Sequence, residues 1–178
     1  MQAVLDELRY PIGRFTPPAE VTPEIRAAWI DRIAAVPGAL RAAVDGLSDA
    51  QLETPYRDRG WTVRQVAHHL PDSHLNAYVR FKLALTEDNP RIKPYDEAGW
   101  SNLGDTSGTP VEVSLALIEA LHARWVVLLR SMTEAQWART FEHPETGPWP
   151  LTRALGLYAW HGDHHLAHIT RLRSRSGW

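Results

Sequence analysis

Gly60-Trp61-Thr62-Val63-Arg64-Gln65-Val66-Ala67-His68-His69-Leu70 holds the start of a long helix and, two turns in, a pair of histidines. Thr62 with Gln65 three residues on forms a capping box: the hydroxyl accepts a backbone N–H and the Gln side chain returns the bond. Helix-favouring residues continue to about Thr86. Upstream, Ser48 with Gln51 caps a short turn that Pro55 closes, and Thr22-Pro23-Glu24 starts an earlier helix. Its apolar residues Ile25, Trp29, Ile33, Val36, Leu40, Val44 and Leu47 recur at three and four, which carries it to about Gly46. Pro37-Gly38 falls inside and is expected to kink or split it. Met1 to Glu20, with Pro11, Gly13, Pro17 and Pro18, reads as an extended arm, which either docks through Arg9, Tyr10 and Phe15 on the body or on a neighbouring subunit or is a floppy leader.

Downstream, Glu87 to Thr109 is rich in Pro, Gly, Asp, Asn and Ser and reads as a long loop, packed as a lid by Tyr95 and Trp100. Thr109-Pro110-Val111-Glu112 restarts a helix to about Ser131, with an expected apolar stripe of Val113, Leu117, Ala120, Leu121, Trp125, Leu128 and Leu129. Thr133 with Gln136 caps another short turn, and residues 140–150 form an irregular or hairpin connection. Thr152 is expected to cap the last helix, which runs to about Ser174. Four long helices with no series of strands predict an all-α four-helix bundle. The long connections permit crossovers rather than a plain up-down order.

The 178 residues, 44% of them hydrophobic, suffice for one ordinary core, so residues 1–178 are expected to form a single domain. A formal charge of −2 argues against nucleic acid or an anionic membrane as partner. With no cysteine, disulfides, thiolate ligands and a cysteine nucleophile are excluded, and any thiol chemistry would use a thiol of the substrate. No run of about 18 apolar residues and no secretory leader is visible, so the expectation is a cytoplasmic protein.

Four of the nine histidines fall in Trp160-His161-Gly162-Asp163-His164-His165-Leu166-Ala167-His168. Residues four apart share a helix face, so His161 with His165, or His164 with His168, can converge on one divalent metal. The third ligand is sought on the helix opened by Thr62, at His68 or His69. Taking His69 inward also turns Asp72, Ser73, Asn76 and Arg80 inward, a polar stripe suited to lining a pocket.

The stretches 60–70, Arg80-Phe81-Lys82-Leu83-Ala84-Leu85-Thr86-Glu87, Lys93-Pro94-Tyr95-Asp96-Glu97, 154–161 and 164–169, together with Arg9-Tyr10-Pro11-Ile12-Gly13, resemble the YfiT branch of the DinB-like superfamily. The resemblance implies a four-helix bundle, often a homodimer, with three His ligands for one divalent metal per subunit, Zn²⁺ or Ni²⁺. Its members are labelled metal-dependent hydrolases, and some look like S-transferases for the thiol bacillithiol. Its pattern selects His69, eight residues after Trp61, over His68. It also selects His161 and His165, with His168 as a supporting residue and His164 pointing elsewhere. His68, His74, His122 and His143 are read as structural or solvent-facing.

Three neutral imidazoles leave a coordination position for water or substrate. The residue after His161 is Gly162, where metalloproteases carry a glutamate base, and Asp163 points away, leaving Asp72 and Glu142 as candidates. A thiol needs no such base, so transfer of a low-molecular-weight thiol to an electrophile is the expected activity, with Asn76 and Arg80 binding a carboxylate of an acidic thiol. The alternatives are hydrolysis at the same site and a metal-stabilised binding or dimerisation module without turnover.

Overall fold

The computed structural model describes residues 2–178. The elements run α1 (Gln2–Arg9), α2 (Pro23–Val44), α3 (Asp49–Leu52), α4 (Val63–Thr86), α5 (Glu97–Trp100), α6 (Gly104–Gly108), α7 (Val111–Ser131), α8 (Glu134–Trp137), β1 (Thr140–His143), β2 (Gly147–Pro150) and α9 (Leu151–Ser176). The four long helices α2, α4, α7 and α9 form a four-helix bundle. Helix α2 packs mainly on α9 and α7, and α4 also packs on α7 and α9, so α2 and α4 stand diagonally opposite. The links from α2 to α4 and from α7 to α9 therefore cross an end of the bundle, which their length allows. Capping boxes at Ser48, Thr62 and Thr133 start α3, α4 and α8. The connection after α8 is a two-stranded antiparallel hairpin with Phe141 opposite Trp149.

Several expectations change. The arm is helical from Gln2 to Arg9, because that segment lacks a breaker and the proline punctuation begins only at Pro11. Beyond Arg9 the arm is non-helical and docked, with Tyr10 6.0 Å from His164 and Phe15 6.4 Å from Trp160, ring to ring. The lid contains α5 and α6 rather than loop alone. Helix α9 begins at Leu151, and Thr152 does not cap it: Pro150 is pinned in the hairpin opposite Thr140, and the Leu151 N–H donates to Arg139, so the helix starts where the strand ends. Pro37 does not split α2; its cost is confined to the Ile33 carbonyl, which loses the donor four residues on. Helix α7 is rotated from the expected stripe. Val113 and Leu117 are exposed, and the buried face runs through Val111, Leu115, Ile118, His122, Trp125 and Leu129.

The apolar core falls into two clusters, one above the other along the bundle. One takes Ile33 of α2, Ala77 and Phe81 of α4, Trp125 of α7 and Leu155 of α9; the other takes Val36, Leu70, Ile118 and Ile169 of the same four helices. Each of the larger aliphatic and Phe side chains among these contributes roughly 1.5–3 kcal/mol by leaving water. Between the clusters lies a layer of buried polar groups: Ser73 and His74 on α4, His122 on α7, and His164, His165 and His168 on α9.

Candidate metal centre

Helices α4 and α9 pack directly, and this brings His69 of α4 against His161 and His165 of α9. One ring nitrogen from each lies within 4.8 Å of the others. His69 Nε2 and His161 Nε2 are 3.3 Å apart, close to the roughly 3.3–3.4 Å that two nitrogens at 2.0–2.1 Å from a tetrahedral zinc would show. The Trp61 ring, placed just ahead of the Thr62 box, flanks the cluster at 4.6 Å from His69 and 6.1 Å from His165. Burial drives the His69 pKa down to about 4; burial first, then neighbouring imidazoles, holds His161 and His165 well below the usual value. All three are neutral at pH 7, which is the ligating form. His165 Nδ1 is buried with no hydrogen-bond partner, a desolvation cost of about 1–3 kcal/mol. Close, neutral imidazoles, one with an unpartnered buried nitrogen, fit a divalent cation.

Behind His161 the buried layer continues. His161 Nδ1 is 3.2 Å from His74 Nε2, His74 Nδ1 is 2.8 Å from His122 Nε2, and His122 Nδ1 is 2.7 Å from the Ile33 carbonyl. His74 and His122 are thus buried partners of one another, joined through His74 to a candidate ligand. The signal that could have found His122 was the apolar face of α7, had it been drawn through Ile118 and Trp125.

The cluster opens on a cavity of about 570 Å³ whose walls include Tyr10, Tyr56, Trp61, Tyr95, Tyr158 and Trp160, with Arg9, Arg57 and Arg59 on its basic side. A cavity of this size accommodates a small-molecule ligand. Glu97, which is exposed, is the one carboxylate among the described residues lining it. His164 lines it too, stacked on Trp160 at 4.4 Å. It does not point elsewhere, because positions three and four apart lie on the same helix face. His168 meets the Arg9 carbonyl at 3.2 Å and stacks on Tyr56 at 3.9 Å, with its ring 5.3 Å from that of His165.

The sequence pattern of the DinB superfamily matches residues 32–169. The chain belongs to the DinB superfamily. Among its relatives in this superfamily, a Bacillus cereus (strain 03BB102) protein named "Putative metal-dependent hydrolase" is 55% identical over 174 residues, covering 98% of this chain and 100% of that one. A Bacillus mycoides (strain KBAB4) protein of the same description has the same identity and coverage. The structure of YfiT from Bacillus subtilis, described as "a probable metal-dependent hydrolase with an unusual four-helix bundle topology", superposes with a TM-score of 0.94 at 52% identity, over 97% of this chain and 99% of that one. TT2238, a four-helix bundle protein, shares the fold at a TM-score of 0.59 and 21% identity, over 82% of this chain and 98% of that one.

Within this DinB fold the remaining candidates are dispersed. His68 turns to α7, its Nδ1 2.7 Å from Ser114 Oγ, and His143 lies on β1. Asn76 donates to the Asp72 carbonyl at 2.9 Å and Arg80 donates to the Tyr158 hydroxyl at 3.2 Å; neither is a cavity wall, though Tyr158 is. Asp72 and Glu142 do not line the cavity either. Asp163 accepts from Arg32 Nε at 2.8 Å, away from the cluster. Gly162 has a packing explanation: a Cβ there would lie 2.5 Å from Val36 Cγ2 of α2. The missing glutamate therefore reports how closely α2 and α9 approach at this point and does not distinguish a thiol from water as nucleophile.

Proposed function

We propose that this protein is a divalent-metal-dependent enzyme that transfers a low-molecular-weight thiol of the bacillithiol type to an electrophile. The metal, Zn²⁺ or Ni²⁺ and one per subunit, is held by His69, His161 and His165, with His168 packed behind them. The observation that supports the reading is a neutral three-imidazole cluster opening on a cavity whose only carboxylate among the described lining residues, Glu97, is solvent-exposed. A divalent metal held there supplies one thing, a nucleophile deprotonated near neutral pH without a protein base. The chain's own groups do the rest. Arg9, Arg57 and Arg59 offer guanidinium forks to the carboxylates of an acidic thiol. Tyr158, held by Arg80, forms one wall, and Trp61, Tyr56 and Tyr10 give an apolar lining against which the electrophile packs while water is displaced. Asn76 acts only indirectly, through the backbone of α4. The reading carries with it a homodimer in the cytoplasm, where low-molecular-weight thiols are kept reduced; among the described residues no helix is long and apolar enough to cross a membrane.

Hydrolysis at the same site is the second reading. It is supported by the description of the relatives and by Glu97, which sequence reasoning passed over and which would serve as the base. The deciding experiment incubates protein loaded with Zn²⁺ or Ni²⁺ with bacillithiol, cysteine or glutathione and a model electrophile, monochlorobimane, beside a panel of esters and amides. Metal-dependent conjugation is expected. Cleavage without conjugation would replace the first reading by the second. Neither activity, with metal removal lowering only the melting temperature, would overturn both in favour of a binding or dimerisation module.

A further inference from the structure

We infer that His122 and His74 form a one-way chain of hydrogen bonds that fixes the tautomer of His161, so that its Nε2 lone pair is the one presented to the metal site. The inference rests on the reading of His161 as a ligand. Its starting point is the proline within α2. Residue 37 has no N–H to give to the carbonyl four residues back, and that carbonyl, of Ile33, instead meets His122 Nδ1 at 2.7 Å. A carbonyl only accepts, so Nδ1 of His122 must carry the proton, and in a neutral ring Nε2 is then a lone pair. His74 Nδ1, 2.8 Å away, must donate to it, which leaves His74 Nε2 as an acceptor. His161 Nδ1, 3.2 Å away, must donate in its turn. What remains on His161 is the Nε2 lone pair, the atom 3.3 Å from His69 Nε2.

The opposite assignment fails at the far end. Were His161 protonated on Nε2, each bond would reverse, and a neutral His122 would turn a lone pair toward the Ile33 carbonyl at 2.7 Å. Two acceptors at that distance in a dry core repel, and His122 and His74 are 2% and 0% exposed. The neutral imidazoles are thus ordered from a single fixed carbonyl on α2, through α7 and α4, to α9. All four long helices take part, and the chain occupies the interval between the two apolar clusters. His74 and His122 are positioning residues: they touch neither metal nor substrate, and they spare the site the work of reorienting His161 before it can ligate.

Two measurements test this. Long-range ¹⁵N–¹H NMR of the metal-free wild type reads the tautomer of each ring directly, and His122, His74 and His161 are all expected as Nδ1–H. Finding Nε2–H on His74 or His161 would overturn the inference. In the second, zinc affinity is measured by competition with a chromophoric chelator for two variants. His122→Gln keeps a donor for Ile33 and an acceptor for His74 and is expected to bind zinc within about threefold of wild type. His122→Phe keeps the bulk but neither group and is expected to bind about 10–100-fold more weakly. Equal affinity in the Phe variant would also overturn the inference; if that variant does not fold, the wild-type spectrum decides alone. A wild-type protein that takes up no zinc would remove the metal reading of the site, while the spectrum would still settle the order of the protons.

Discussion

His68 and His69 stand side by side in the sequence and face different helices in the fold. A step of one residue turns the helix surface by about 100°, so one imidazole reaches Ser114 on α7 while its neighbour reaches His161 on α9. Replacing His69 by Ala should abolish zinc uptake, read by metal analysis after dialysis. His68→Ala should keep full metal content and lose about 1 kcal/mol of stability, because the buried Ser114 hydroxyl is left without its partner. The reverse pattern of metal content would sink the ligand assignment. For His164, spacing sets it on one face with His161, His165 and His168, and the packed helices leave a cavity wide enough to be lined by all four.

At the scale of elements, α2 and α9 pack tightly where Gly162 meets Val36. Gly162→Ala places a methyl 2.5 Å from Val36 Cγ2, an overpacking that should cost about 1–3 kcal/mol in chemical denaturation. Pairing it with Val36→Ala should recover most of that cost; a double variant no better than the single would show that the helices are not held at this point. The starts of α3, α4 and α8 were legible because capping is local chemistry. Thr62 with Gln65, Ser48 with Gln51 and Thr133 with Gln136 each make both reciprocal bonds. The inward face of α7 was not legible. Val113 and Leu117 offered a second apolar stripe, and only the positions of α2 and α4 choose between the two. The face they choose carries His122 into the core.

For the molecule as a whole, the layer of neutral imidazoles makes stability depend on pH in a stated direction. Their folded pKa values lie below the unfolded value of about 6.5: about 4 for His69, His122 and His164, and about 3 for His168. The unfolded chain therefore binds more protons, and the stability of the metal-free protein is fully present above about pH 6.5 and lost as pH falls toward 4. At pH 5, His69 and His122 each withdraw roughly 2 kcal/mol. Thermal melts of metal-free protein should fall steeply between pH 7.5 and 5, and a flat profile would contradict neutral burial. Zinc at 100 times its dissociation constant should restore about 2.7 kcal/mol at pH 7.5 and less at pH 5, where protons compete for the ligands.

What the sequence determined by itself was what depends on near neighbours along the chain: four long helices, the capped starts of α2 and α4, and the shared face of His161 and His165, all consequences of a 3.6-residue repeat and of polar side chains bonding their own backbone. Residues 2–9 are helical although prolines follow, because the first breaker is Pro11. What the tertiary structure alone decided is which faces meet. The diagonal order of α2 and α4, the recruitment of Arg9, Arg57 and Arg59 to one cavity, and the alignment of Ile33, His122, His74 and His161 all join residues tens of positions apart. Such contacts are selected by the packing of whole helices around two apolar clusters, and no local pattern encodes that choice.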